Sequence, residues 1–240
     1  MKIDMKLLQI SFLAASLALP SFALPTFPIT FTDKTDAQDP NDVIGTPSNF
    51  DITQLSFTAF NAATKTFTAK LNFNYGGGQS LSAFNISSGS VSVGDLLISN
   101  GANRYFVPLV TRGVLDAGDL YSATSYLTAQ AVHGSGSGRP SENVWGNTTG
   151  AVRLGNGTVS SISVGGSSDP NKLEVTLNFV GNDAFINNFA NSTVSFAAAT
   201  CANDIITGVI PANAPIPEPG TWAMLGAGLA VLGLLRRRQA

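Results

Sequence analysis

The stretch Phe67-Thr-Ala-Lys-Leu-Asn-Phe-Asn-Tyr75 alternates apolar and polar side chains without exception. Successive side chains of a β-strand point to opposite faces of the sheet, so a period of two is that of a strand with one buried face. A helix would instead need apolar residues three and four positions apart. The stretch therefore predicts a strand whose odd-numbered residues lie in the core.

The same alternation recurs along the chain and predicts an all-β fold. Lys172-Leu-Glu-Val-Thr-Leu-Asn-Phe179 repeats it fully. Weaker versions lie at residues 55–60, 91–98, 104–110, 120–132, 159–164 and 193–196. Gly, Asn, Ser and Asp occupy the joints, and no convincing helical stripe interrupts them. Short strands at this spacing predict an antiparallel β-sandwich over residues 24–211, with one polar face on each sheet.

The last 24 residues have a different composition and predict a tail directed to a membrane. They contain a Pro-Glu-Pro motif (Pro217, Glu218, Pro219), an uncharged segment (221–235) and three arginines (Arg236, Arg237, Arg238). As a helix, the uncharged segment would be roughly 22 Å long, short of a hydrocarbon core of roughly 30 Å. Arginines favour the cytoplasmic side, which places the motif outside. The prolines hold Glu218 extended, beyond a Pro-containing linker at 212–216.

This order of features resembles the PEP-CTERM signal of exosortase substrates, found in Gram-negative bacteria that make extracellular polysaccharide. The resemblance implies that exosortase recognises Pro217, Glu218 and Pro219 as a substrate and cleaves there. It also implies a transient stay in the inner membrane, then the cell surface or an extracellular matrix of exopolysaccharide or biofilm. The alternative from the residues alone is a permanent C-terminal membrane anchor.

The other end of the chain predicts a secretory signal peptide at residues 1–23. Lys2 and Lys6 form a basic start, and the following residues to Pro20 are mostly apolar. Ser21-Phe22-Ala23 has small residues at the two positions that a signal peptidase reads, so we expect cleavage after Ala23. Export and sorting at the tail are consistent with each other.

Charge and cysteine content exclude several classes. The chain has 13 basic and 15 acidic residues, and the two terminal segments hold five of the basic ones, so the processed region is acidic. A nucleic acid partner is not expected, because phosphate binding needs clustered Lys and Arg. Cys201 is the single cysteine, so no intramolecular disulfide forms, and we expect it to be a small buried side chain.

Two acidic groups are candidate sites. Four carboxylates at a spacing of three could bind calcium in a flexible loop, although a solvated loop is the simpler interpretation and the spacing is not that of an EF-hand. They are Asp33, Asp36, Asp39 and Asp42. The second group is the pair Asp116 and Asp119, which favours a β-turn over the paired carboxylates of a glycosidase. No phosphate loop, dinucleotide fingerprint or zinc spacing occurs, so no cofactor other than calcium is expected.

Two further groups are weaker candidates. His133 with Ser135 and Ser137 could supply part of a Ser-His-Asp triad, but the chain has no Gly-x-Ser-x-Gly elbow. Four aromatic residues could form a platform for stacking sugars if they share an exposed face, although packing roles are the simpler interpretation. They are Tyr105, Tyr121, Tyr126 and Trp145.

Three segments of the body, 93–98, 116–121 and 200–206, resemble a domain type that recurs among PEP-CTERM proteins. This resemblance implies an extracellular β-domain and brings no catalytic residues with it. The sequence thus favours an exported, non-enzymatic surface or matrix protein. The alternatives are a carbohydrate-binding or calcium-dependent adhesion module and, more remotely, a secreted hydrolase.

Overall fold

The computed structural model describes residues 24–33, 43–44, 47–75, 92–133, 139–164 and 171–212, all within one compact unit, Leu24–Ala212. The strands of this part are β1 (Ile29–Thr32), β2 (Ile52–Asn61), β3 (Thr66–Asn74), β4 (Leu96–Asn100), β5 (Asn103–Val107), β6 (Leu120–Ala123), β7 (Tyr126–Thr128), β8 (Asn143–Gly146), β9 (Val152–Gly155), β10 (Gly157–Ser163), β11 (Lys172–Val180), β12 (Thr193–Ala197) and β13 (Ile205–Val209). Its helices are α1 (Pro47–Phe50), α2 (Ala129–His133) and α3 (Asp183–Phe189).

The strands form two antiparallel sheets packed face to face. Sheet A has the order β1-β2-β3-β11-β10, and sheet B has the order β13-β12-β4-β5-β6-β9. One hydrophobic core takes side chains from both sheets, for example Phe73 and Leu177 from sheet A and Ile98 and Phe196 from sheet B. The predicted antiparallel β-sandwich is therefore confirmed.

Sheet A follows the sequence pattern closely. Strands β3 and β11 pair without interruption from Thr66↔Val180 to Asn74↔Lys172. Their apolar residues are buried, and the polar residues between them lie on the outer face, where Lys70 pairs with Glu174 at 2.8 Å. The alternation thus predicted both the strands and the face that each residue occupies.

Sheet B departs from the prediction of one polar face on each sheet. Its inner face carries Ile98, which joins the main core, while Leu97, Phe106 and Tyr121 on the outer face form a second core with Leu115. The small sheet β7-β8 lies near this outer face and contacts β4 and β5. The prediction is wrong for sheet B because part of its outer face is covered by another layer of the chain.

The body also contains a short helix that the sequence pattern did not indicate. Helix α3 buries Phe185, Ile186 and Phe189, which lie one and four positions apart on one helical face. Its N-cap is Asn182, whose side chain accepts the Phe185 N–H at 2.8 Å. With only seven residues, the helix is too short for its apolar period to stand out.

Several strand boundaries also differ from the predicted ones. The segment 120–132, predicted as one strand, consists of β6, β7 and most of α2, and the strand predicted from residue 91 begins at Leu96. The loop predicted to run from 134 to about 147 contains β8. Strands β1, β9 and β13 were not predicted, since four or five residues show little alternation.

Candidate functional site

The most buried charged cluster lies between sheet B and the β7-β8 layer. Asp95 directly precedes β4 and has no exposed surface, and Arg112 comes from the connection between β5 and β6. The two terminal nitrogens of the Arg112 guanidinium donate to the two carboxylate oxygens of Asp95, with Nη1 at 2.6 Å from Oδ1. Its carbon Cζ lies 4.3 Å from the centre of the Trp145 ring. The Gly146 N–H donates to Asp95 Oδ2 at 2.9 Å.

The partners of this cluster explain its electrostatics. Burial raises the pKa of the Asp95 carboxyl above its ordinary value of 3.8, while Arg112 and the Gly146 N–H act in the opposite direction. A buried carboxylate needs such partners because an unpaired charge is costly away from water. Asp95 is fully buried and both of its oxygens are engaged by Arg112 and the Gly146 N–H, so the geometry of the cluster is suited to holding β8 against β4.

Asp119 occupies an equivalent position before β6. Its Oδ1 accepts the Gly157 N–H at 2.7 Å, and Arg153 Nη2 lies 2.6 Å from Oδ2. Asp116 is exposed, and its carbonyl accepts the Asp119 N–H at 3.3 Å, which closes the predicted turn. Asp116 also lies near Arg153, with its Oδ2 at 3.9 Å from Nη1. Through its bond to Gly157, Asp119 connects sheet B to the start of β10 in sheet A.

Asp204 directly precedes β13 and, like Asp95 and Asp119, is buried and accepts a backbone N–H from another element. Its Oδ2 accepts the Ile52 N–H at the start of β2 at 2.5 Å, and its Oδ1 accepts the Ile205 N–H at 2.8 Å. Asp95, Asp119 and Asp204 each come from one of the three body segments singled out in the sequence, and each directly precedes an apolar strand. The shared feature of those segments is thus a buried aspartate that binds a backbone N–H of another element.

Sequence reasoning did not identify this role. The signal was present as an acidic residue immediately before an apolar run, in Asp95-Leu-Leu-Ile98 and again at Asp119 and Asp204. Arg112 carried no signal of its own, because nothing in its neighbours distinguishes it from a surface arginine.

The four aromatic candidates do not form one exposed platform. Tyr105 lies in the main core and Tyr121 in the second core. The Tyr126 hydroxyl lies 2.7 Å from the Ile98 carbonyl oxygen, and burial raises the pKa of Tyr126. Trp145 is half-buried and donates its Nε1–H to the Val93 carbonyl at 3.0 Å. Each ring therefore packs or bonds within the fold.

The remaining candidates are only partly described. Asp33 follows β1, and Asp36, Asp39 and Asp42 lie outside the described residues. His133 ends α2, but its side chain and the residues Ser135 and Ser137 also lie outside them. In the part of the chain that the structure describes, no group of three His, Cys, Asp or Glu side chains is placed to hold a metal ion. The calcium hypothesis therefore stays a prediction.

Cys201 is buried, as expected from the sequence. Burial raises the pKa of its thiol, which disfavours the thiolate, the reactive form of cysteine. Its Sγ contacts the Asn203 side chain.

The signal peptide with its cleavage site at Ala23, the motif Pro217, Glu218 and Pro219, the apolar segment 221–235 and the arginines Arg236, Arg237 and Arg238 lie outside the described residues. The predicted domain boundaries at these two ends therefore stay predictions. Among the described helices, none is long and apolar enough to cross a membrane.

Comparison with known proteins adds one finding. Residues 215–239 match the family model described as the PEP-CTERM protein-sorting motif. No curated protein and no solved structure shows a significant match to the chain. The fold and this match define a class, the β-sandwich protein with a C-terminal sorting signal. In particular, the chain carries a PEP-CTERM motif, which implies export, exosortase processing and sorting to the cell surface or extracellular space.

Proposed function

We propose that the chain is a non-enzymatic protein of the bacterial surface or extracellular matrix, cleaved by exosortase at Pro217, Glu218 and Pro219 and retained among exopolysaccharide. The match of residues 215–239 to the sorting motif carries this proposal. In it the signal peptide is removed after Ala23, the tail holds the chain briefly in the inner membrane, and cleavage releases the β-sandwich.

The tail's physical chemistry supports a temporary membrane stop. Its uncharged segment 221–235 is short for a stable span, and the arginines that follow resist passage through the membrane. A helix of roughly 22 Å leaves a mismatch of several Å with an average bilayer, which the membrane accommodates only at a cost. Such a segment is suited to a processing intermediate.

The β-sandwich supports a structural role. The buried carboxylates of Asp95, Asp119 and Asp204 accept hydrogen bonds from backbone N–H groups, and two of them also form ion pairs with arginines. A general acid or base must instead reach a substrate from a cleft. The candidate aromatic rings pack within the fold, which does not favour the carbohydrate-binding alternative. The calcium-dependent and hydrolase alternatives stay predictions, because most of their candidate residues lie outside the described ones.

Intact mass spectrometry tests the processing. The protein is recovered from cells that express the full chain together with an exosortase, and membrane and extracellular fractions are kept separate. We expect an extracellular product that begins at Leu24 and ends near the Pro-Glu-Pro motif. A mass that still includes residues 222–240, found only in the membrane, would instead establish a permanent anchor.

A variant with alanine at positions 217, 218 and 219 tests the motif itself. We expect full-length protein to accumulate in the inner membrane, because the exosortase loses its substrate. The matched control replaces Pro211 and Asn213, which lie outside the matched residues, and should be processed normally. Normal release of the triple variant would overturn the sorting role of the motif.

A further inference from the structure

The outer edge of β10 is the longest of the four edges of sheets A and B in the described part of the chain. Strand β10 has seven residues, whereas the other edge strands, β1, β9 and β13, have four, four and five. Natural β-proteins shorten, charge, bulge or cover their edge strands to prevent pairing with other chains. Strand β10 contains no proline and no charged residue, and its pairing with β11 runs in constant register.

The hydrogen-bond pattern shows which backbone groups this edge presents. Two backbone hydrogen bonds flank the strand: the Val180 N–H donates to the Asn156 carbonyl, and the Val164 N–H donates to the Lys172 carbonyl. Hydrogen-bonded pairs alternate along an antiparallel ladder, so the even-numbered residues of β10 are the ones that form backbone hydrogen bonds with β11. The odd-numbered residues therefore direct their N–H and C=O groups away from β11. Gly157, the first of these, donates to Asp119. Beyond it, no described residue pairs with the edge at Val159, Ser161 and Ser163.

Exposed apolar side chains lie beside these backbone groups. Ile162 is 58% exposed and Val164 is 48% exposed, on the outer face of sheet A. Their neighbours on β11 are polar, with Glu174 opposite Ile162. Two large apolar side chains at alternate positions of an unprotected edge strand are what a strand partner would bury.

We propose that β10 pairs antiparallel with β10 of a second copy of this chain, about a twofold axis at Ile162. In this register Ile162 lies opposite Ile162 of the second copy, and Ser160 lies opposite Val164. Ser161 and Ser163 exchange backbone hydrogen bonds across the interface. Sheet A then continues from one copy into the other.

Charge and geometry favour a second copy as the partner. The edge is uncharged, so two identical strands meet without like charges directly opposite each other. Each Glu174 lies one strand further out and is paired with Lys70 within its own copy. The twofold axis at Ile162 also keeps the partner strand away from the Asp116–Asp119 turn, which covers the edge at Gly157. This pairing goes beyond the proposed function and does not depend on cleavage of the tail.

A cysteine at the axis tests this arrangement in the full chain. Directly opposite residues of a non-hydrogen-bonded antiparallel pair have Cα atoms about 4.5 Å apart, within the range of about 4.4–6.8 Å that a disulfide spans. We therefore expect Ile162→Cys to double in apparent mass on a non-reducing gel of exported protein and to return to monomer on reduction. The unaltered chain controls for the buried Cys201.

The matched control is Thr176→Cys, which lies on the same outer face but on β11. Thr176 residues of the two copies would be separated by several strand spacings of about 4.8 Å, so this variant should remain monomeric on the gel. Equal cross-linking of both variants would indicate random collision and would overturn the pairing. A monomeric Ile162→Cys protein would do the same.

Sedimentation of the exported protein without introduced cysteines gives an independent measurement. We expect a dimer for the unaltered chain and a monomer for Ile162→Lys, which brings two cations together at the axis. We also expect a monomer for Ser161→Pro, which removes an outward N–H while leaving the bonds to β11. The proposal would be overturned if the unaltered chain sediments as a monomer at all concentrations. It would also be overturned if an experimental structure showed other residues of the same chain paired with the outer edge of β10.

Discussion

Sheet A and sheet B enclose the same core, but they are stabilised differently. Sheet A has long strands that bury one face and expose a polar one, so its stability depends on inward side chains such as Phe67. Sheet B has strands of four or five residues, with apolar side chains on both faces and buried charges at its margins. The same sandwich thus combines a regular sheet with one that depends on specific polar contacts.

The largest effect is expected at the centre of sheet A. Phe67 has no exposed surface, and its ring centroid lies 4.6 Å from that of Phe60, 4.7 Å from Phe189, 5.3 Å from Phe185 and 5.5 Å from Phe179. Phe67→Ala leaves a cavity among these rings and should lower the free energy of unfolding by about 4 kcal/mol. Urea denaturation followed by tryptophan fluorescence measures it.

The control for this variant is on the next residue of the same strand. Thr68 lies on the outer face and donates to the Asn178 side chain at 2.8 Å. Thr68→Ala should cost about 1 kcal/mol or less. Comparable losses for the two variants would contradict the assignment of an inner and an outer face to β3.

This contrast also shows how far the sequence could predict the fold. The strict alternation in β3 and β11 predicted those strands and their faces, because one buried face imposes a period of two. Strands β4 and β5 contain Leu96-Leu97-Ile98 and Tyr105-Phe106-Val107, and two buried faces leave no period to read. The layer that covers sheet B is a tertiary feature, so no local pattern indicates it.

The polar contacts of sheet B were even less predictable. Asp95 meets Arg112 and Gly146 only after strands from distant parts of the chain have packed together. Spacing along the sequence cannot supply that proximity. For the sorting tail the opposite holds, since the Pro-Glu-Pro motif, the apolar segment and the arginines are contiguous and were identified without a structure.

The second largest effect is expected at the Asp95–Arg112 pair. Arg112 is 10% exposed in its side chain and Asp95 is fully buried. Arg112→Met leaves a buried carboxylate without its cation and should lower the free energy of unfolding by about 3 kcal/mol at neutral pH. Replacing both residues, as Asp95→Asn with Arg112→Met, should recover part of that loss. A double variant less stable than the single one would contradict a purely electrostatic role.

The loss should depend on pH. A folded-state pKa raised above the unfolded value means that the folded protein keeps a proton that the unfolded chain has released, so stability falls as pH rises through that window. Arg112 lowers the pKa of Asp95, and its removal raises that pKa further. We therefore expect the deficit of Arg112→Met to be small in acid, below the folded-state pKa of Asp95 in the unaltered protein, and to grow as pH rises above that pKa, measured by urea denaturation at fixed salt. A deficit that does not change with pH would mean that lost packing against Trp145 dominates.

The smallest effect is expected at the ion pair on the outer face of sheet A. Lys70 Nζ lies 2.8 Å from Glu174 Oε1, but the two side chains are 38% and 25% exposed, so water and salt screen the attraction. A double-mutant cycle with Lys70→Ala and Glu174→Ala should give a coupling free energy of about 0.5 kcal/mol, which 1 M salt should reduce further. The buried pair of Asp95 and Arg112 should show a larger coupling. The cycle uses neighbouring strands in perfect register, so the two substitutions remove one contact and leave the backbone pairing intact. A coupling as large as that of Asp95 and Arg112 would mean that the outer face of sheet A is covered in the folded protein, and the contrast between the two sheets would then fail.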